Sequence, residues 1–142
     1  MVNKTLNLLL VEDDPADIDL TMELLDDASI TLNIQVVNDG AKALAYLFKQ
    51  KPYDAATRPD LILLDLNLPK KNGTEVLDVI KHHQELKKIP VVILTTSDAN
   101  EDIIKSYHLG ANSYITKAEG LEQFGKIIKS LECFWLHIAK LP

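Results

Sequence analysis

Leu61-Ile62-Leu63-Leu64 runs directly into Asp65, and this junction constrains the chain more than any other stretch. Four consecutive apolar residues with no polar face describe a strand buried on both sides, as in the interior of a parallel sheet. Pro69 stops the run soon afterwards. In open α/β sheets, ligands bind outside the carboxyl ends of the strands. Asp65 is therefore either a turn-forming residue or a site residue, and the other strand ends decide between the two.

The rest of the chain supplies those ends. Leu6 to Val11 is a first apolar run, followed by Glu12-Asp13-Asp14-Pro15, in which Asp14 is an N-cap and Pro15 a first helical residue. Ile18, Met22 and Leu25 repeat at helical spacing, Leu32 to Val37 is a second strand, and Asn38-Asp39-Gly40 opens a helix with Ala41, Leu44, Ala45 and Phe48 inward. Lys49 to Asp60, with Pro52 and Pro59, reads as a surface loop within one domain. Asn72-Gly73 is a turn signal before a third helix carrying Val76, Leu77 and Ile80. Pro90 to Leu94 is a fourth strand, and Ile103, Ile104 and Tyr107 mark a fourth helix that Gly110 ends. Ser113 to Ile115 is a fifth strand, and residues 121–139 form the strongest helix, with a stripe from Leu121 to Ile138. Five strands alternating with five helices imply a doubly wound α/β fold, a parallel sheet in the flavodoxin-like order 2-1-3-4-5. The expected organisation is a single domain over residues 1–142, with the last helix extended and no output domain.

Charge and composition exclude several functions. At 142 residues the chain can bury a real core. A net charge of −6 and a single arginine, Arg58, argue against nucleic acid as a partner. Cys133 is the lone cysteine, so no internal disulfide forms, which suits a reducing compartment. The N-terminus lacks a signal-peptide pattern and no stretch is long enough to span a membrane, so the expected location is cytoplasmic.

The polar residues that follow the strands are Glu12, Asp13 and Asp14 after the first, Asp65 after the third, Thr95 after the fourth and Lys117 after the fifth. In the proposed strand order they converge on one rim. Crowded carboxylates call for a cation, and an all-oxygen set suits Mg²⁺. A carboxylate can also attack a phosphoryl group and become an aspartyl phosphate, a reaction that needs mainly positioning and charge neutralisation. Singly, each residue has a plainer role: Glu12 and Asp13 at a helix N-terminus, Thr95 as a strand residue, Lys117 as a solvated charge. Their joint occurrence after four neighbouring strands favours a site.

Val11-Glu12-Asp13-Asp14, Leu63-Leu64-Asp65-Leu66-Asn67-Leu68-Pro69, Val92-Ile93-Leu94-Thr95-Thr96-Ser97 and Tyr114-Ile115-Thr116-Lys117 together resemble the signature blocks of bacterial response-regulator receiver domains. The resemblance implies a two-component signalling protein, not an enzyme acting on a separate substrate. Asp65 would accept a phosphoryl group from a sensor histidine kinase. Asp13, Asp65 and the Asn67 backbone carbonyl would hold Mg²⁺, with Glu12 acting through metal-bound water. Thr95 and Lys117 would bind the phosphoryl group, Thr95 and Tyr114 would form the switch, and Asn67 and Ser97 would tune phosphate loss. Output would pass to a downstream protein through the strand-4/helix-4/strand-5/helix-5 face, and a homodimer is expected through helix 4, strand 5 and helix 5. The loop before the third strand, the Pro69-Lys70-Lys71-Asn72-Gly73 run and Phe134-Trp135-Leu136 resemble the single-domain receivers associated with phytochrome-type kinases. One residue departs from the family: Ala118 stands where a cis proline usually follows the lysine. A cis bond before a non-proline residue costs about 2.5–4 kcal/mol, so a trans path is expected.

Three other readings compete. A phosphatase of the haloacid dehalogenase type wants Asp-x-Asp after the first strand, whereas here the carboxylate follows the third and Asn67 stands two residues on. A flavodoxin-like FMN site wants a Ser/Thr/Gly phosphate loop where this chain has Glu12-Asp13-Asp14, the wrong charge for phosphate. A receiver that only docks a partner, without phosphate, draws its support from Ala118. His82-His83 point to different sides of a helix and read as solvated, and the short Lys70-Lys71 and Lys87-Lys88 pairs are too small for a nucleic-acid patch.

Overall fold

The computed structural model describes residues 5–26, 31–70, 72–95 and 100–116. In chain order the elements are β1 (Thr5–Val11), α1 (Pro15–Asp26), β2 (Thr31–Val37), α2 (Gly40–Leu47), β3 (Leu61–Leu64), α3 (Gly73–His82), a 3-10 turn at Leu86–Lys88, β4 (Val91–Thr95), α4 (Asn100–His108) and β5 (Ser113–Thr116). All strand pairings are parallel, in the order β2-β1-β3-β4-β5. Four strands, β2-β1-β3-β4, form the body of the sheet, and the short β5 pairs along the outer side of β4.

The expected alternation of five strands with five helices is corrected at its helices and in the weight of its strands, β5 being a short addition to a four-stranded body. Among the described residues four α-helices flank the sheet, and the last helix expected at 121–139 lies outside them. The chain between α3 and β4 also carries a 3-10 turn that apolar periodicity did not reveal.

The apolar runs explain why the sheet forms. Leu8, Leu10, Leu61, Leu63, Val92 and Leu94 share one core cluster with Leu25 of α1, and Ile18 packs against it. Their alternates Leu9, Val11, Ile62, Leu64, Val91 and Ile93 share a second cluster with Ala43, Tyr46 and Leu47 of α2 and Val76, Leu77 and Ile80 of α3. Period-2 alternation of side chains sends an unbroken apolar strand into both layers.

Helix starts are set by side-chain caps. Asp14 Oδ1 accepts from the N–H of Ala16 at 2.9 Å, Asp39 Oδ1 from Lys42 at 2.7 Å, and Asn72 Oδ1 from Glu75 at 3.0 Å. Each such cap contributes about 1 kcal/mol. Asn72-Gly73 is therefore a helix start, not the turn its composition suggests. α4 stops at Gly110, whose φ of 103° is left-handed and costs a residue without Cβ little.

Two helix faces differ from the expected ones. In α2 the buried residues are Gly40, Ala43, Tyr46 and Leu47, while Ala41 is exposed and Phe48 is 39 % exposed. Tyr46 turns inward because its hydroxyl donates to Thr57 O at 3.2 Å and its ring packs on Tyr53; burial raises its phenol above the ordinary value of 10.0. In α1 Thr21 is buried and Met22 faces out. His83 is not simply solvated: its Nδ1 accepts from the N–H groups of Glu85 and Leu86, both at 3.1 Å, and its ring meets Phe48 edge-on.

Ile80 is wholly buried in the α3 layer, whereas Ile104 on α4 is 69 % exposed. Ile80→Ala is expected to cost about 2–5 kcal/mol through lost burial and a residual cavity. Ile104→Ala is expected to stay within about 0.5 kcal/mol of the parent. Urea unfolding midpoints of the two variants check the contrast.

Candidate functional site

β1 and β3 lie side by side while their helical crossovers leave in opposite directions along the sheet, so the chain opens a crevice at their carboxyl ends. Backbone hydrogen bonds hold the first residues of that crevice in register. Glu12 N–H donates to Val37 O and Asp65 N–H donates to Val11 O, each at 3.0 Å. Both acids thus continue the sheet's ladder by one rung and inherit its rigidity.

Carboxylate oxygens of Glu12, Asp13 and Asp65 lie within 4.8 Å of one another. Glu12 and Asp65 are buried and Asp13 is exposed. Glu12 Oε2 accepts from the backbone N–H groups of Asp13 at 3.1 Å and Asp14 at 3.4 Å, which orients it at the start of α1. Asp65 Oδ1 accepts from the Asn67 N–H at 3.0 Å. Unit charges about 4 Å apart repel by about 4 kcal/mol at an effective dielectric of 20, so a three-carboxylate notch is suited to a divalent cation. The donor set fits one that keeps part of its water shell: all oxygen, with an open side at Asp13.

Thr95 ends β4 with its side chain fully buried, and its Oγ1 accepts from Asn67 Nδ2 at 3.5 Å. Thr95 is thereby brought to the loop that carries Asp65. Tyr114 lies in β5, half-buried, and its backbone N–H donates to the hydroxyl of Tyr107 on α4 at 3.1 Å. Ser97, Lys117 and Ala118 lie outside the described residues, so the expected roles of the first two and the path of the Lys117-Ala118 bond have no structural counterpart here. The signalling face built from strand 4, helix 4, strand 5 and helix 5 is corrected as well, because no fifth helix stands among the described residues to complete it. The surface expected to form the homodimer lies partly on the last helix, outside the described residues.

Sequence reasoning missed one contributor to the site and one bonded lysine far from it. Gly73 approaches the Asp65 backbone closely, and its N–H donates to Leu66 O at 2.9 Å; composition alone suggested a turn. Lys81, in the last turn of α3, drew no expectation from the sequence. Its Nζ donates to Lys87 O at 3.2 Å and Ile89 O at 2.8 Å, closing the 3-10 turn, and burial lowers its ammonium from 10.5. That basic corner, with His82, Lys87 and His108, lines a cleft at the helix C-termini, the end of the sheet away from the carboxylates. No helix among the described residues is long and apolar enough to cross a membrane.

Comparison with known proteins agrees with this geometry. Residues 8–129 match the response regulator receiver domain family. The chain is 47 % identical over 135 residues to Response regulator Rcp1 of Synechocystis sp., covering 95 % of this chain and 92 % of that protein. The crystal structure of the phosphorylated cyanobacterial phytochrome response regulator RcpA is similar with a TM-score of 0.85 and 50 % identity, over 98 % of this chain and 99 % of that one. The Mn(2+)-bound form of Rcp1 is similar with a TM-score of 0.84 and 47 % identity, over 96 % and 99 % of the two chains. With its acidic crevice between β1 and β3 and this match along most of its length, the chain belongs to the response-regulator receiver family of two-component signalling.

Proposed function

We propose that this receiver accepts a phosphoryl group on Asp65 from a phosphohistidine of a sensor kinase. An Asp65 carboxylate oxygen attacks phosphorus, the bond from phosphorus to the donor imidazole nitrogen breaks, and the imidazole leaves with the electron pair. The observation that carries this reading is the meeting of Glu12, Asp13 and Asp65 oxygens within 4.8 Å, beside the buried Thr95. Mg²⁺, held by Asp13, Asp65 and the Asn67 carbonyl with Glu12 behind a bound water, would neutralise charge on the transferring group.

The residues divide the remaining work. The sheet's ladder keeps Asp65 in place for attack, and the Asn67 N–H leaves one carboxylate oxygen engaged and the side chain oriented. Thr95 donates its hydroxyl to a phosphoryl oxygen and Lys117 pairs with another. Movement of Thr95 toward the phosphoryl group is sensed by Tyr114, and Asn67 with Ser97 governs access of the hydrolytic water. The related structures support the reading: RcpA was crystallised phosphorylated and Rcp1 with Mn(2+). A kinase of the phytochrome type fits the same pattern, since RcpA and two other similar receivers are described as phytochrome or bacteriophytochrome response regulators. The soluble compartment of a bacterial cell is the corresponding location.

Incubating the purified chain with Mg²⁺ and phosphoramidate tests the proposal. Stoichiometric, acid-stable and hydroxylamine-labile phosphate is the expected result. Absence of label in the presence of Mg²⁺ contradicts it.

A further inference from the structure

Gly73 is the first residue of α3 and is buried directly behind the phosphoacceptor loop. Its φ lies outside the left-handed region, so backbone conformation does not explain a glycine here. Space does. A Cβ at this position would stand 2.5 Å from Leu66 Cα, 3.0 Å from the Asp65 carbonyl carbon, and closer still to the Asp65 carbonyl oxygen. All three are backbone atoms, which cannot swing aside as the end of a flexible side chain can.

The same loop is closed by short bonds. Leu66 O accepts from Gly73 N–H at 2.9 Å and from Leu68 N–H at 3.2 Å. Asp65 itself is held from the other side by its N–H to Val11 O. The two peptides flanking Asp65–Leu66 are thus tied, one to β1 and the other to the N-terminus of α3, which leaves the peptide between them little room to move. A side chain at residue 73 has to push that peptide toward the sheet or separate α3 from it.

We propose that Gly73 is a positioning residue for phosphoryl transfer: its lack of a side chain lets α3 press on the Asp65–Leu66 peptide and set the Asp65 carboxylate against Glu12 and Asp13. The inference rests on Asp65 as phosphoacceptor. Gly73 touches no reacting atom, and it acts through the backbone of Asp65. Displacements of about 1 Å at a reacting group cost about 10²-fold in rate, so the effect belongs in the rate constant and in metal affinity rather than in stability alone.

The experiment compares wild type, Gly73→Ala and Asn72→Ala as full chains. Asn72→Ala removes the α3 cap to Glu75 N–H without adding bulk behind Asp65, so it controls for loss of stability in the same loop. Single-turnover phosphorylation by phosphoramidate is followed at saturating Mg²⁺. Label stoichiometry reports the folded fraction, and the rate constant reports placement per folded molecule. Gly73→Ala is expected to react about 10–100-fold more slowly and to bind Mn²⁺ more weakly in calorimetry, with Asn72→Ala within about twofold of wild type on both readouts. Trimethylamine N-oxide restores folded fraction where a variant is partly unfolded. A wild-type rate constant in Gly73→Ala overturns the proposal, as does equal slowing in both variants. A Gly73→Ala chain with no cooperative melt overturns it too, since the glycine then serves folding rather than placement. A wild type that takes no label instead removes the phosphoacceptor reading beneath it.

Discussion

Asp65→Asn is expected to fold at least as well as the wild type and to take up no phosphoryl label. The change is isosteric, and the backbone N–H of Asp65 keeps its bond to Val11 O. The Asn67 N–H, which donates to Asp65 Oδ1 at 3.0 Å, finds an amide oxygen in the same place. An amide has no nucleophilic carboxylate oxygen, so the transfer step is lost rather than slowed. One of three mutually repelling charges also disappears, and the metal-free variant is expected to be more stable than its parent. Intact-mass analysis after phosphoramidate treatment, paired with urea unfolding, reads both effects. Label equal to the wild type would move the phosphoacceptor elsewhere in the chain.

Asp13→Asn is expected to separate cation binding from the fold. Asp13 is the exposed member of the cluster and donates nothing to the core, so its loss leaves both apolar layers intact. Wild type is expected to gain stability on adding Mg²⁺ as RT ln(1 + [Mg²⁺]/Kd), about 2.7 kcal/mol at a hundredfold excess over Kd. The variant is expected to lose at least about 10–100-fold in affinity, the range already seen when only an outer-shell partner is removed. Its metal-free form should be the more stable of the two, because repulsion within the notch is relieved. Thermal melts with and without Mg²⁺, repeated with Mn²⁺, test the sign of both changes. An unchanged Mg²⁺-induced shift would show that Asp13 takes no part in holding the ion.

How much of this was legible in the chain depends on the physical signal each residue carries. Strands β1, β3 and β4 announce themselves because segments buried on both faces, residues 8–11, 61–64 and 91–94, are apolar throughout, and the next polar residue then marks their end. That is why Glu12, Asp65 and Thr95 could be placed on one rim without coordinates. Helix phase is a weaker signal. α2 spans only Gly40–Leu47, and its inward face was misread because Tyr46 combines a buried ring with a hydroxyl that needs Thr57 O. Phe48 looks like core by composition and stands at the helix C-cap, where the periodicity has already ended.

Gly73 carried no legible function for a different reason. Asn-Gly in a sequence signals a turn, and only the approach of α3 to Asp65 reveals that the glycine is needed for its missing side chain. His83 was read as solvated, and Lys81 drew no reading at all, because a side chain that bonds to backbone two to eight residues away leaves no periodic trace. The fifth helix was the strongest periodic stripe in the chain, yet the described fold is organised by four helices, and the output face that depended on it has no basis among the described residues.

The most direct measurement is a crystal structure of the full chain soaked in Mg²⁺ and beryllium fluoride, which mimics a phosphoryl group on a carboxylate. The account predicts a fluoroberyllate bonded to an Asp65 oxygen, with Mg²⁺ beside it against Asp13 and the Asn67 carbonyl. Density at neither position, in crystals where the ions are present at saturating concentration, would contradict it.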